Sequence, residues 1–118
     1  MSNELTNTSW ASALAFYDKL NGPQWKHIPL FRELVSQIGS SEQASGLVAV
    51  TSHATLLVSP YTHRLDWFAG RHVLVVPFAD GTVRVEFHPQ EFSRQPIVVH
   101  TLTVETALDE ILHLIMDL

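Results

Sequence analysis

Residues 72–88 of the chain read HVLVVPFADGTVRVEFH, and this stretch decides the fold. Two valine-rich runs flank Asp80-Gly81, a dipeptide that favours a two-residue turn between antiparallel strands. With Asp80 and Gly81 at the centre of the turn, Ala79 faces Thr82 and the strands pair outward from there. This register puts only apolar residues on one face, in the pairs Phe78 with Val83, Val76 with Val85 and Leu74 with Phe87.

The second face of this hairpin mixes charged and apolar side chains, in the pairs Val73 with His88, Val75 with Glu86 and Pro77 with Arg84. A further turn at Ala69-Gly70 would pair Trp67 with His72 and Leu65 with Leu74, and so extend both faces. On the mixed face this arrangement brings Arg64 near Glu86 and Asp66 near His88. Such same-face pairs of opposite charge contribute about 0.2–1 kcal/mol each in a sheet. A mixed face suits a protein interface, and it also suits plain solvent exposure. The candidate binding residues on it are Arg64, Asp66, Arg84, Glu86 and His88.

Helical spacing of apolar residues appears before and after the strand region. Thr8 or Ser9 can cap a first helix that runs to about Leu20, and Pro29 suits the first turn of a second helix. A strand at residues 97–102 is followed by a helix that Thr103 caps.

Residues 47–51 and 55–59 form either two strands or one long bent strand, and the pattern allows both. We therefore predict one α+β domain spanning residues 1–118. It has two N-terminal helices, an antiparallel meander of four to five strands and a C-terminal helix, with the helices packed on one sheet face.

Composition excludes several kinds of protein. The chain has 118 residues, of which 46% are hydrophobic and 16% charged, as in a packed globular domain. It contains no cysteine, so disulfides, thiolate metal sites and thiol nucleophiles are excluded. The N-terminus has no basic region followed by an apolar run, and no long apolar stretch occurs, so we expect a cytoplasmic protein without a membrane span.

The net charge of −5 is concentrated at one end of the chain. Residues 103–118 contain no Lys or Arg, whereas the seven bases are scattered over the rest of the chain. A scattered set of bases does not form the positive face that nucleic acids require, so we expect no nucleic-acid partner. The acidic residues of the last segment are Glu105, Asp109, Glu110 and Asp117.

Three residues of the final helix, Asp109, His113 and Asp117, recur every four positions opposite the apolar stripe. A metal or a basic partner could dock on these side chains. A solvated polar face near the negative C-terminal end of the helix is the simpler explanation.

The sequence offers no catalytic motif. Five of the seven histidines fall in the strand region, but none has the spacing of a metal-ligand motif. The hairpin register also places His72 and His88 on opposite faces. No serine stands in a G-x-S-x-G elbow, and no phosphate-binding loop occurs. We therefore assign no catalytic residue, no metal ligand and no cofactor.

These observations favour a protein-binding domain, of the kind found in immunity proteins, antitoxins, adaptors and chaperones, over an enzyme. Its acidic terminal helix and mixed-charge sheet face would meet a basic partner. The alternative is a small-ligand-binding or histidine-metal-dependent enzyme, with His53, His63 and His72 in a pocket between helices and sheet. A third hypothesis is a homodimer that pairs through an edge strand.

Overall fold

The computed structural model describes residues 2–20, 22–61, 67, 70–88 and 98–118, and within these ranges it leaves out the side chains of residues 2–7, 24, 98 and 99. Short 3-10 turns at Pro23–Trp25 and Glu42–Ala44 flank the second helix. The main elements, in chain order, are α1 (Ser2–Asp18), α2 (Ile28–Gly39), β1 (Val48–Ser52), β2 (Thr55–Ser59), β3 (His72–Pro77), β4 (Thr82–His88), β5 (Val98–Thr103) and α3 (Val104–Ile115).

The five strands form a single antiparallel meander in the order β1-β2-β3-β4-β5, and the three helices pack against the sheet. The predicted α+β fold class is confirmed. Residues 47–59 form two strands, because the chain reverses at His53-Ala54 and pairs Ser52 with Thr55. His53 has a φ of 54°, in the left-handed region that histidine tolerates better than most residues.

The turn between β3 and β4 is three residues long, and the predicted two-residue turn is wrong. Phe78 N–H donates to the Thr82 carbonyl at 2.9 Å, and Gly81 N–H donates to the Phe78 carbonyl at 3.2 Å. Gly81 has a φ of 89°, whereas among the described non-glycine residues only His53 has a positive φ. Asp80 therefore cannot occupy a type I′ turn, and the geometry is that of a turn closed by a left-handed glycine.

The longer turn moves β3 by one residue relative to β4, so the predicted register is wrong. Val75 pairs with Val85 and Val73 pairs with Phe87, and all four side chains are buried under the helices. Because successive residues of a strand face opposite sides, the shift reverses every assignment on β3. Val73, Val75 and Pro77 belong to the helix-covered face, and Leu74 and Val76 do not.

The neighbour of β3 on its other side is β2, with Leu57 opposite Leu74 and Val58 opposite Val73. The predicted pairing of β3 with Leu65 and Trp67 is therefore wrong, because β2 already occupies that edge. Trp67 lies in a turn, where its indole N–H donates to the Tyr61 carbonyl at 3.1 Å. Leu65 lies outside the described residues.

Helix α1 packs along β1, the strand at one edge of the sheet. Ser9, predicted as a cap, lies within α1, and its hydroxyl accepts the backbone N–H of Ala49 at 2.9 Å. The indole N–H of Trp10 donates to the Leu47 carbonyl at 3.0 Å. Both backbone groups belong to the edge strand or the residue just before it, so α1 satisfies hydrogen-bonding groups that a sixth strand would otherwise pair with.

Helices α2 and α3 follow the sequence prediction closely. Pro29 lies in the first turn of α2, and Gly39 is its last residue. Helix α3 begins directly after Thr103 and buries Val104, Ala107, Ile111, Leu114 and Ile115. The Thr103 hydroxyl, predicted to cap it, makes no capping bond to the backbone and instead bonds to the Thr106 hydroxyl at 2.8 Å. No helix within the described ranges combines the length and hydropathy needed to cross a bilayer.

Candidate functional site

The side of α3 that faces away from the sheet is acidic. Because the apolar stripe of α3 is buried, the residues between its members are directed to solvent. Glu105, Asp109 and Asp117 are all exposed, and we call these three carboxylates the acidic face. His113 lies exposed on α3, one helical turn after Asp109, as the sequence predicted. Asp117 was predicted on the same helix, but it lies in the turn that follows Ile115.

One α3 carboxylate is engaged within the fold. Glu110 is half-buried, and one of its oxygens lies 3.2 Å from Nε2 of His100 on β5. Among the described residues, no ion-pair partner lies within 4.0 Å of Glu105, Asp109 or Asp117. The acidic face therefore presents three carboxylates that described cations do not neutralise.

The charged residues predicted on β4 lie together on the sheet face opposite the helices. The Glu86 carboxylate accepts Nε–H of Arg84 at 2.9 Å and lies 3.1 Å from Nε2 of His88. Only 16% of the Glu86 side chain is exposed, against 46% for Arg84. The cluster is therefore largely neutralised internally, and Arg84 is its exposed member.

His72 and His88 form a buried cross-strand pair, so their predicted placement on opposite faces is wrong. The one-residue shift makes them direct partners in the β3–β4 ladder, and their rings stack with centroids 4.5 Å apart and planes 12° apart. The two residues are 3% and 5% exposed. Nδ1–H of His72 donates to the Gly70 carbonyl at 2.8 Å.

The environment of His72 favours its neutral form. Burial lowers the pKa of His72 most, and the Gly70 carbonyl opposes this shift by accepting a hydrogen bond. A charge on His88 would lower the pKa further, and the Glu86 carboxylate raises it slightly. The stacked ring of His72 is therefore a packing element of the sheet that resists protonation.

The histidines proposed for an enzyme do not converge. His53 is exposed at the β1–β2 turn, at the opposite end of the sheet from His72. His72 lies on the sheet face away from the helices, not in a pocket between helices and sheet. His63, Arg64 and Asp66 lie outside the described residues. Within the described ranges, no group of three or more His, Asp or Glu side chains could hold a metal ion.

An apolar groove that the sequence did not predict lies where the β3–β4 turn meets the start of α2 and of α3. Its walls include Trp25, Phe31 and Phe78. Phe78 was predicted in the core, but it stands in the turn and is 42% exposed. The sequence contained one signal for this position of Phe78: the spacing from Phe78 to Gly81 fits a three-residue turn as well as a two-residue one.

Comparison with protein-family models, curated protein sequences and solved structures gave no match in any of the three. The fold and the described side chains define an α+β protein with a five-strand antiparallel meander, three helices on one face, and an acidic helix at the surface. Its function is argued from those side chains alone.

Proposed function

We propose that the chain is a non-enzymatic protein-binding domain, of the immunity, antitoxin, adaptor or chaperone type, and that the acidic face of α3 docks a basic partner. The observation that supports this proposal is the set of exposed carboxylates Glu105 and Asp109 on α3 and Asp117 in the turn that follows it, in a segment without Lys or Arg. The fold does not need these carboxylates for packing, since the helix is held by its opposite, apolar side.

The acidic face should speed the association of a basic partner and make its binding sensitive to salt. Like charges clustered on one surface create a field that steers an oppositely charged partner and raises its association rate. Salt screens such a field over about 8–10 Å at physiological ionic strength. Binding through the acidic face should therefore weaken steeply as the salt concentration rises.

The sheet face contributes less to this proposal than the helix. Glu86 is held between Arg84 and His88, so a partner would have to compete with contacts that are already made. Arg84 remains exposed enough to contact a partner at the margin. We therefore place the main docking surface on α3 and treat the β4 cluster as a secondary contact.

Affinity purification from cells of the source organism tests the proposal, with the whole chain as bait at low salt. We expect one basic protein in stoichiometric amount, released as salt rises from 50 to 500 mM. The variant D109N/D117N should bind it about two- to thirtyfold more weakly, because two exposed charge pairs at about 0.2–1 kcal/mol each contribute about 0.4–2 kcal/mol.

The variant D18N/E33Q is the matched control. It removes two exposed carboxylates from α1 and α2, of which Asp18 is paired with Arg32, so it changes the net charge equally but leaves the acidic face intact. The control should bind as the wild type does. Equal binding of the partner by D109N/D117N and wild type, or recovery of no stoichiometric partner, would contradict the proposal.

A further inference from the structure

Strand β5 lies at one edge of the sheet, and half of its backbone groups face outward from that edge. The N–H of Val104, just after β5, donates to the Gly81 carbonyl at 3.4 Å and so marks the phase of the strand that faces β4. Successive residues of an antiparallel strand direct their N–H and C=O groups to opposite sides. The backbone groups of Val99, Thr101 and Thr103 therefore point away from β4, and in the described part of the chain no strand lies beyond them.

Strand β5 lacks the features that usually keep a sheet edge from pairing. Natural proteins protect exposed edges with charged side chains, prolines, bulges or a covering element. The sequence of β5, VVHTLT, contains no Lys, Arg, Asp, Glu, Pro or Gly, and its pairing with β4 runs without a bulge. The side chains of His100, Thr101 and Thr103 are exposed. At the opposite edge, by contrast, α1 bonds to the backbone of Ala49 and Leu47. Strand β5 is therefore the edge that a further strand can extend.

The outward-facing residues of β5 are symmetric about Thr101. If a second β5 lies antiparallel with Thr101 facing Thr101, then Val99 of each copy faces Thr103 of the other. Any other register leaves an outward residue of each β5 without a strand residue opposite it. The symmetric register gives about four backbone hydrogen bonds, two between the Thr101 residues and one from each Thr103 N–H to a Val99 carbonyl. The Thr103 carbonyl adds little, because the Thr106 hydroxyl already donates to it at 3.2 Å.

We propose that the protein is a homodimer in which the β5 strands of two copies pair antiparallel about a twofold axis at Thr101. The occupant of the edge is a second copy, because β5 matches itself in the one register that uses all its outward-facing residues. Facing threonines are also a favourable cross-strand pair. The two five-strand sheets become one continuous sheet, and since each copy has a single β5, the assembly closes at two. The inference goes beyond the proposed function and does not depend on it.

The charged residues of the strands do not oppose this pairing. On the helix-covered side, His100 of each copy faces Leu102 of the other, and Nε2 of His100 is already 3.2 Å from Glu110 on α3. On the other side, Arg84 and Glu86 lie one strand away on β4, with 2.9 Å between their ionic groups. The β4 strands of the two copies would be three strand spacings, or about 14 Å, apart. This distance exceeds the screening length of about 8 Å at physiological ionic strength.

The acidic side chains of α3 oppose the pairing only weakly. Helix α3 contacts β3, β4 and β5, so it lies over β4, and the α3 helices of the two copies would also be about 14 Å apart. Helices in contact lie about 8–10 Å apart, so the acidic faces remain open to a partner. Salt screens the repulsion between the two sets of carboxylates on α3, Glu110 included, and protonated His113 would reduce it. Dimerisation should therefore strengthen as the salt concentration rises, whereas binding of a basic partner should weaken.

Sedimentation equilibrium of the whole chain tests the dimer. The mass should rise from 13.2 kDa towards twice that value between about 1 and 500 µM, because an interface at the small end of the size range is weak. T101P should weaken dimerisation about tenfold or more, because it removes both N–H donors on the axis. Proline fits an edge position whose N–H faces outward. The matched control T101V keeps the N–H and the side-chain shape, and should dimerise within about threefold of the wild type.

Three outcomes of this experiment would overturn the inference. The first is a monomer at every concentration, and the second is equal dimerisation by T101P and T101V. If T101P does not fold, T101K tests the same point, because it places two like charges directly opposite each other. Unchanged dimerisation by T101K is the third.

Disulfide formation tests the register, since the chain has no cysteine of its own. T101C should oxidise to a covalent dimer, because facing residues of this kind have Cα atoms about 5.5 Å apart, within the span of a disulfide. R84C is the matched control, since Arg84 is the β4 neighbour of Thr101 and its two copies would be about 14 Å apart. No covalent dimer of T101C, or equally fast cross-linking of R84C, would contradict the proposed register.

The dimer and the proposed function can fail separately. If a basic partner is lost by D109N/D117N while the wild type sediments as a monomer, the docking surface is correct and the dimer is wrong. If T101C cross-links and T101P is monomeric, but no basic partner is recovered from cells, the dimer is correct and the proposed function is wrong.

Discussion

Replacing Gly39 with alanine should destabilise the protein, although the same change stabilises most helices. Gly39 is the last residue of α2, and its φ is not positive, so alanine fits the backbone there. Helix propensity alone would then give a gain of up to about 1 kcal/mol. The indole of Trp10 reverses the sign, because it lies directly against the Cα of Gly39.

The size of the effect follows from the contact distances. A Cβ on residue 39 would lie 2.8 Å from Cε3 and 2.9 Å from Cδ2 of Trp10, well inside ordinary contact distance. The ring is 6% exposed and its N–H is bonded to the Leu47 carbonyl, so it has little room to move. Overpacking costs about 1–3 kcal/mol, and a weakened indole hydrogen bond adds about 1 kcal/mol. We expect a net loss of about 1–3 kcal/mol.

Urea and thermal unfolding of the wild type, G39A, W10F and the double variant measure this loss of stability directly. G39A should lower the free energy of unfolding, and Tm should fall by roughly 4–12 °C, since 1 kcal/mol corresponds to about 4 °C at this chain length. In the W10F background, the smaller ring should remove most of the cost, giving a coupling energy of about 1 kcal/mol or more. A stabilised G39A, or an equal cost in both backgrounds, would refute the reasoning.

Three further changes test other parts of the fold. H53G should stabilise the protein by up to about 1 kcal/mol in thermal unfolding, because an L-residue with a φ of 54° carries a conformational cost that glycine avoids; a lower Tm would contradict this. S9A should cost about 1–2 kcal/mol in urea, because the N–H of Ala49 loses its acceptor, whereas the exposed control S12A should change stability by less than about 0.5 kcal/mol. Burial lowers the pKa of His72, so the unfolded chain binds more protons below its ordinary pKa of about 6.5, and stability should fall as the pH drops from 7.5 to 5.5. H72Q should show a smaller loss over that range, and an equal loss would exclude His72 as a source.

The sequence could predict which strand residues face the helices only where polar and apolar residues alternate along the strand. On β4, polar and apolar residues alternate, and Val83, Val85 and Phe87 are buried under the helices as predicted. On β3, apolar residues occupy both phases of the strand, so a shift by one residue leaves both faces apolar. Only the turn could set the register of β3, and the Asp-Gly pair is compatible with turns of two different lengths.

One part of the candidate site could be predicted from the sequence, and two parts could not. The acidic face was predictable because helical spacing fixes the direction of every residue on α3 once its apolar stripe is buried. The stacked His72–His88 pair was not predictable, because it depends on the β3–β4 register. The groove was also missed, because it is built from residues 25, 31, 78 and 104, which are distant in sequence and meet only in the folded chain.

The contacts of α1 with the edge strand link residues about 40 positions apart, whereas the meander itself is built from hairpins between successive strands. Local hairpins close quickly, and a contact across a longer loop closes later. During folding, β1 should therefore exist for a time as a bare strand able to pair with another molecule. Protein made without its first twenty residues would keep that edge permanently open, and slow assembly into β-rich aggregates is the expected fate of such a truncated chain.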